Sequence, residues 1–206
     1  MRPHPATTLL LLMLAGCGVV PGSQPAERGV RQAGSPAVSA TSPEARQCHA
    51  QLGQSGSRFA PLPDKFYGAG CSTVNSVRIE GLGGDRGEFA VTNLGAVACP
   101  LANSFADWAR YGVDRAARQI LGSPLQKIET MGSYSCRNVA GTGRRSAHAR
   151  AEAIDVAAFV LADGRRISVL EDWNAGDAEE REFLQTVQRS ACKRFGTVLG
   201  PDYNAA

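Results

Sequence analysis

Apolar and polar positions alternate over two short stretches, Ser76-Val-Arg-Ile-Glu80 and Glu88-Phe-Ala-Val-Thr92, the period-two pattern of half-buried strands. The run between them, Gly81-Leu-Gly-Gly-Asp-Arg-Gly87, lacks the Gly-Lys-Ser/Thr ending and the following helix of a phosphate loop, so it reads as a hairpin connection. From Pro100 the spacing turns helical. Leu101, Phe105, Trp108, Ala116 or Ala117, Ile120 and Leu121 fall mostly on one face, Gly112 is expected to kink or split the helix, and Gly122-Ser-Pro124 to end it. Phe105 and Trp108 are expected in the core. Residues 126–131 read as a strand, and 153–161 and 166–170 as two apolar strands joined at Ala162-Asp-Gly-Arg165 by a tight-turn dipeptide. Asp177 with Glu180 forms a capping box ahead of the stripe Phe183, Leu184, Val187, Ala191 and Phe195. Residues 197–199 read as a last short strand, and 58–63 as an extended, proline-rich segment. These elements predict an α+β domain, a small, mostly antiparallel sheet with flanking helices.

The amino-terminal pattern is different. Arg2 and His4 precede the apolar run Leu9-Leu-Leu-Leu-Met-Leu14, and Ala15-Gly16-Cys17 follows, so residues 1–17 read as an export signal too short for a permanent span. Leu14-Ala-Gly-Cys17 resembles the lipobox of bacterial lipoproteins, which makes Cys17 the expected lipidation site and the membrane a partner through its lipid. Gly18 after the cysteine favours the outer membrane, with the protein facing the periplasm. Residues 18–43 are rich in Gly, Ser, Pro and Ala and read as a flexible tether. The domain is expected over 44–206.

Composition adds bounds. With 206 residues, 43% hydrophobic, 20% charged and a formal net charge of +3, the chain supports one domain plus a leader, and the charge is too mild to argue for nucleic acid. Export places Cys48, Cys71, Cys99, Cys136 and Cys192 in an oxidising compartment, where disulfides are expected. No CxxC spacing suggests a zinc ribbon or a redox dithiol. Five is odd, so one of them lacks an intramolecular partner.

The candidate chemistry lies in 131–159. His148 on a loop and Asp155 in the apolar run Ala153-Ile-Asp-Val-Ala-Ala-Phe159 can converge on one ion, since neutral imidazole and carboxylate both ligate zinc. The competing reading is a buried Asp155 hydrogen-bonded to backbone and a surface His148.

Ser146-Ala-His-Ala-Arg-Ala-Glu-Ala-Ile-Asp-Val156 resembles the S-x-H-x(6)-D signature of the LAS-type zinc D-alanyl-D-alanine peptidases. The wider block is closer to the bacterial extensin-like C-terminal domain family: Ser133-Tyr-Ser-Cys-Arg137, the SxH…AID segment, Leu161-Ala-Asp-Gly-Arg165, Asp172-Trp173, Ala191–Phe195 and Leu199–Asn204. The resemblance implies a LAS-type metallopeptidase-like fold. It implies His148 and Asp155 as zinc ligands, Ser146 steadying the ligand loop, and Arg137 gripping a substrate carboxylate through bidentate hydrogen bonds. It further implies zinc-activated water attacking a peptide carbonyl of peptidoglycan or other cell-wall material. The families take their third ligand from a segment of the type H-x-D-H-F-H after the Leu199–Asn204 block. The sequence stops at Ala206, so a missing last core strand and an incomplete, inactive zinc site are expected, with His49 an improbable substitute ligand. The alternative is a non-catalytic, wall-binding envelope lipoprotein.

Overall fold

The computed structural model describes residues 42–204. The expected lipidation site Cys17, the expected export signal and nearly all of the expected tether lie outside them. The first helix, α1 (Pro43–Gln54), is entered through Ser42, whose hydroxyl accepts from the Ala45 amide at 3.0 Å, with proline in the first turn. Its inward face is only Ala45, Cys48 and Leu52. That stripe is too narrow to announce a helix in the sequence.

Seven strands form the main sheet: β1 (Arg58–Pro61), β4 (Ser76–Gly83), β5 (Glu88–Thr92), β6 (Ala96–Ala98), β7 (Leu125–Gly132), β8 (Asp155–Leu161) and β9 (Arg166–Ser168). Their order is β1-β4-β5-β7-β8-β9, with β6 also paired to β4. Every pair is antiparallel except β5 with β7. The α+β, mostly antiparallel expectation therefore holds. A separate two-stranded ribbon, β2 (Lys65–Gly68) and β3 (Cys71–Thr73), stands off the main sheet.

The helix expected from Pro100 is continuous but divided: α2 (Cys99–Trp108), a π-helical turn (Ala109–Asp114) and α3 (Arg115–Ile120). Gly112 lies inside the wide turn. A Cβ there would collide with Ser190 Oγ and stand 3.0 Å from Trp108 Cδ1, so glycine admits the close approach of α5 (Ala178–Cys192). Trp108 Nε1 donates to the Val187 carbonyl at 3.2 Å across the same contact. Phe105, Trp108, Phe159, Phe183 and Phe195 meet there, with ring centroids 5.3–6.1 Å apart from Phe159 to Phe183 and from Trp108 to Phe159. The capping box on α5 is present in both directions.

Two strand expectations need correction. Residues 197–199 form no strand, and the described residues end in a 3₁₀ turn, Pro201–Asn204, held by Trp173 Nε1 donating to Asp202 Oδ2 at 2.8 Å. Segment 166–170 is a strand only to Ser168. There Asp172 at the start of α4 (Asp172–Ala175) takes the Ser168 amide at 2.7 Å and turns the chain away.

Disulfides join Cys48 to Cys99 and Cys71 to Cys136, and Cys192 is free and exposed. The first ties α1 to α2 and the second ties β3 to the loop after β7. Among the described residues no helix is long and apolar enough to cross a membrane.

Candidate functional site

Strand β7 ends at Gly132, which pairs with Asp155, the first residue of β8. The 22 residues between fold over the ends of these two strands. Ser146 opens a 3₁₀ turn, Ala147–Arg150, and its buried hydroxyl accepts from the His148 amide at 3.3 Å. Ala151 closes the turn in the left-handed region, at φ 56°. Its carbonyl accepts from the Ala98 amide at 2.9 Å and from the Ser133 hydroxyl at 3.2 Å. The turn is thus fastened to the sheet from both sides, and His148 is carried at its centre.

The imidazole is oriented by the backbone. His148 Nδ1 lies 2.7 Å from the Ser133 carbonyl, which can only accept, so Nδ1 carries a hydrogen. The other ring nitrogen, Nε2, faces Asp155 Oδ2 at 3.4 Å. Side-chain exposure is 11% for His148 and 48% for Asp155. The competing sequence reading had these reversed. Asp155 escapes burial because it opens its strand opposite a glycine, at the sheet margin, while His148 is enclosed by its own turn.

The spacing has a chemical meaning. A charge-assisted N–H···O bond is normally about 2.7–2.9 Å long. Two ligands each about 2.0–2.2 Å from a tetrahedral zinc stand roughly 3.3–3.6 Å apart. The observed 3.4 Å matches the second case. A histidine whose other nitrogen is fixed on a carbonyl is the usual preparation of a metal ligand. The donor pair fits two positions of a zinc-type shell. Among the described residues no third His, Cys, Asp or Glu joins it. His49 is elsewhere, on α1, its ring 5.6 Å from that of Phe59, with burial lowering its pKa.

Arg137 sits directly after the disulfide at Cys136, and its carbonyl accepts the Ser146 amide at 3.1 Å. The Val139 amide bonds the Arg144 carbonyl at 2.9 Å, and Asn138 bridges Arg145, so 137–146 is a short antiparallel ribbon. Opposed residues share a face. Arg137, Val139, Arg144 and Ser146 therefore share one face, and Asn138 and Arg145 the other. Arg145 is committed, donating to Asn138 Oδ1 at 2.8 Å and to the Ala69 carbonyl at 2.6 Å. The Arg137 and Arg144 guanidiniums make no hydrogen bond or ion pair among the described residues. Three of the four sequence candidates, Ser146, His148 and Asp155, are brought into one turn and its strand, and Arg137 stands at the base of the adjoining ribbon.

Two groups were given no role by the sequence. The Ser133 carbonyl is a backbone atom and leaves no trace in residue type. The ring of Tyr134, the next residue, lies 4.9 Å from that of Tyr67 on β2. Burial, and then the neighbouring Tyr67, raise the Tyr134 hydroxyl above its ordinary pKa.

No curated protein and no solved structure matches this chain. A family profile does, described as Extensin-like protein C-terminus, over residues 46–206, which spans every element from within α1 to the last turn. The chain belongs to the family of the extensin-like protein C-terminus.

Proposed function

We propose that this is an exported, lipid-anchored envelope protein whose His148–Asp155 pair holds a zinc-type cation and descends from a cell-wall peptidase site. The observation that carries the reading is the 3.4 Å separation of His148 Nε2 and Asp155 Oδ2, with Nδ1 fixed on the Ser133 carbonyl. His148 and Asp155 would hold the ion, and Ser146 and the Ser133 carbonyl would hold His148. The ion supplies Lewis acidity toward a peptide carbonyl and an acidified water. The Arg137 guanidinium, unpaired among the described residues, suits the carboxylate of a wall stem peptide. Two disulfides agree with an oxidising compartment outside the cytoplasm.

The test is calorimetric titration of the full-length protein with zinc, beside His148→Ala and Asp155→Ala. Stoichiometric binding that each substitution abolishes is the expected result. Wild-type protein that binds no zinc, or variants that bind as well as wild type, would overturn the reading. Incubation of the zinc-loaded protein with stem peptides then separates peptidase from binding module. The non-catalytic alternative is favoured by one observation, the lack of a third ligand beside the pair among the described residues. It requires wall binding that survives both chelation and His148→Ala.

A further inference from the structure

The ribbon after β7 has two unlike faces. Its ladder runs from the Ser135 amide on the His148 carbonyl, at 3.0 Å, through the Ser146 amide on the Arg137 carbonyl, at 3.1 Å, to the Val139 amide on the Arg144 carbonyl, at 2.9 Å. Opposed residues in such a ladder share a face, and successive residues alternate between faces. One face is fastened to β2 and β3. Cys136 is bonded to Cys71, Arg145 Nε donates to the Ala69 carbonyl, and the Tyr134 ring lies against that of Tyr67. Arg137 and Arg144 are on the other face, the one left open, and both are exposed.

Register sets the spacing on that open face. Arg137 stands opposite Ser146, whose hydroxyl accepts the His148 amide at 3.3 Å, so its row adjoins the candidate metal site. Arg144 stands opposite Val139, one row farther out, as the diagonal neighbour of Arg137. Diagonal positions lie about 7–8 Å apart. Residues 132–150 contain no carboxylate, and neither guanidinium makes a hydrogen bond or ion pair among the described residues. Each planar fork fits one carboxylate through two parallel hydrogen bonds. Because the opposite face is tied down, the backbone that carries the two forks is held in place before any ligand arrives. One such fork reads a single acid group, and two at a fixed spacing read a pair.

We infer that Arg144 is a second carboxylate-binding residue, so that the open face selects acidic peptides, with the terminal carboxylate on Arg137 and a side-chain carboxylate on Arg144. The assignment rests on the wall-directed reading above, which puts a peptide carboxylate on Arg137. The experiment is NMR titration of the full-length protein, without added zinc so that no peptide is cut. The ligands are acetyl-Ala-Glu-Ala-Ala, its glutamine counterpart and inorganic phosphate. The glutamate is two residues before the terminal one, about 7 Å of extended backbone away. Wild type should bind the glutamate peptide about fivefold more tightly than the glutamine peptide, the upper end for a solvent-exposed ion pair. Arg144→Gln should erase that preference and still bind the glutamine peptide as wild type does, and Arg137→Gln should weaken both. Arg86→Gln, beside Leu125 at the other end of β7, should change neither. Equal binding of the two peptides by wild type, or a preference that survives Arg144→Gln, would overturn the inference. So would a preference lost equally in Arg86→Gln, which would assign it to overall charge, or phosphate that displaces the glutamate peptide at equal concentration. Wild type that binds neither peptide would overturn the Arg137 reading as well, whereas failure to bind zinc in the calorimetry would overturn only the metal pair.

Discussion

Asp114 shows how much one side chain can be asked to hold. Its carboxylate is 1% exposed, accepts the Leu125 amide at 2.9 Å and pairs with Arg118 Nε at 3.0 Å. It thereby joins the end of the π-helical turn to the start of β7, the strand that leads to Ser133. Asp114→Ala leaves a buried amide and a half-buried guanidinium unsatisfied, and should cost about 2–3 kcal/mol. Asp114→Asn keeps an acceptor for Leu125 and should cost less. Urea unfolding with disulfides intact checks both, and an alanine variant as stable as wild type would refute the joining role. Such a residue is silent in the sequence, where an aspartate in a helix looks like surface. His148 and Asp155 stand out for a different reason: on type and spacing alone they are a weak signal, and it is the resemblance of the block around them to a known ligand signature that singles them out. What could not be read was which of the two is enclosed. That depends on Gly132 facing Asp155 across a strand pair, a matter of register.

Elements with their own periodicity were legible, and elements held by long-range ties were not. The α5 capping box and stripe, the β4–β5 alternation and the β8–β9 tight turn each carry their instructions within about ten residues. Helix α1 draws its hold from Cys48–Cys99, and the β2–β3 ribbon from Cys71–Cys136, partners 51 and 65 residues apart. Neither pairing can be deduced from spacing when residues 44–206 hold five cysteines. The ribbon's dependence is testable. Replacing Cys71 and Cys136 together by serine removes a cross-link worth about 4 kcal/mol of chain entropy, and a two-stranded ribbon does not survive alone. Amide exchange should accelerate across β2 and β3 while β7 and β8 keep their protection. Equal protection in the reduced-cysteine variant would mean that the Arg145–Ala69 bond and the tyrosine stack suffice.

For the molecule as a whole, acid should act in two separate windows. His49 is on the side where burial lowers the pKa, so the folded state prefers the neutral ring. The unfolded chain then binds the proton first, near pH 6.5, and stability falls as pH drops below that value, levelling once the folded state also protonates. Carboxylates act lower. Hydrogen bonds from Arg115 and then Arg110 hold Asp85 down to about 2, while Arg58 lowers Glu88, Lys127 and Arg166 lower Glu129, and Arg165 lowers Asp163. Their contribution is complete above the ordinary carboxylate range near 4 and is lost as pH falls through the folded values, for Asp85 through about 2. These pairs are solvent-exposed, so their individual contributions are small and salt screens them. Burial of His49 is not screened. Melting temperature followed from pH 8 to pH 2 should therefore fall in two limbs. His49→Gln should flatten the upper limb and leave the lower, and about 0.5 M salt should shrink the lower and leave the upper. An upper limb that persists in His49→Gln, or a lower limb indifferent to salt, would assign acid sensitivity to other groups.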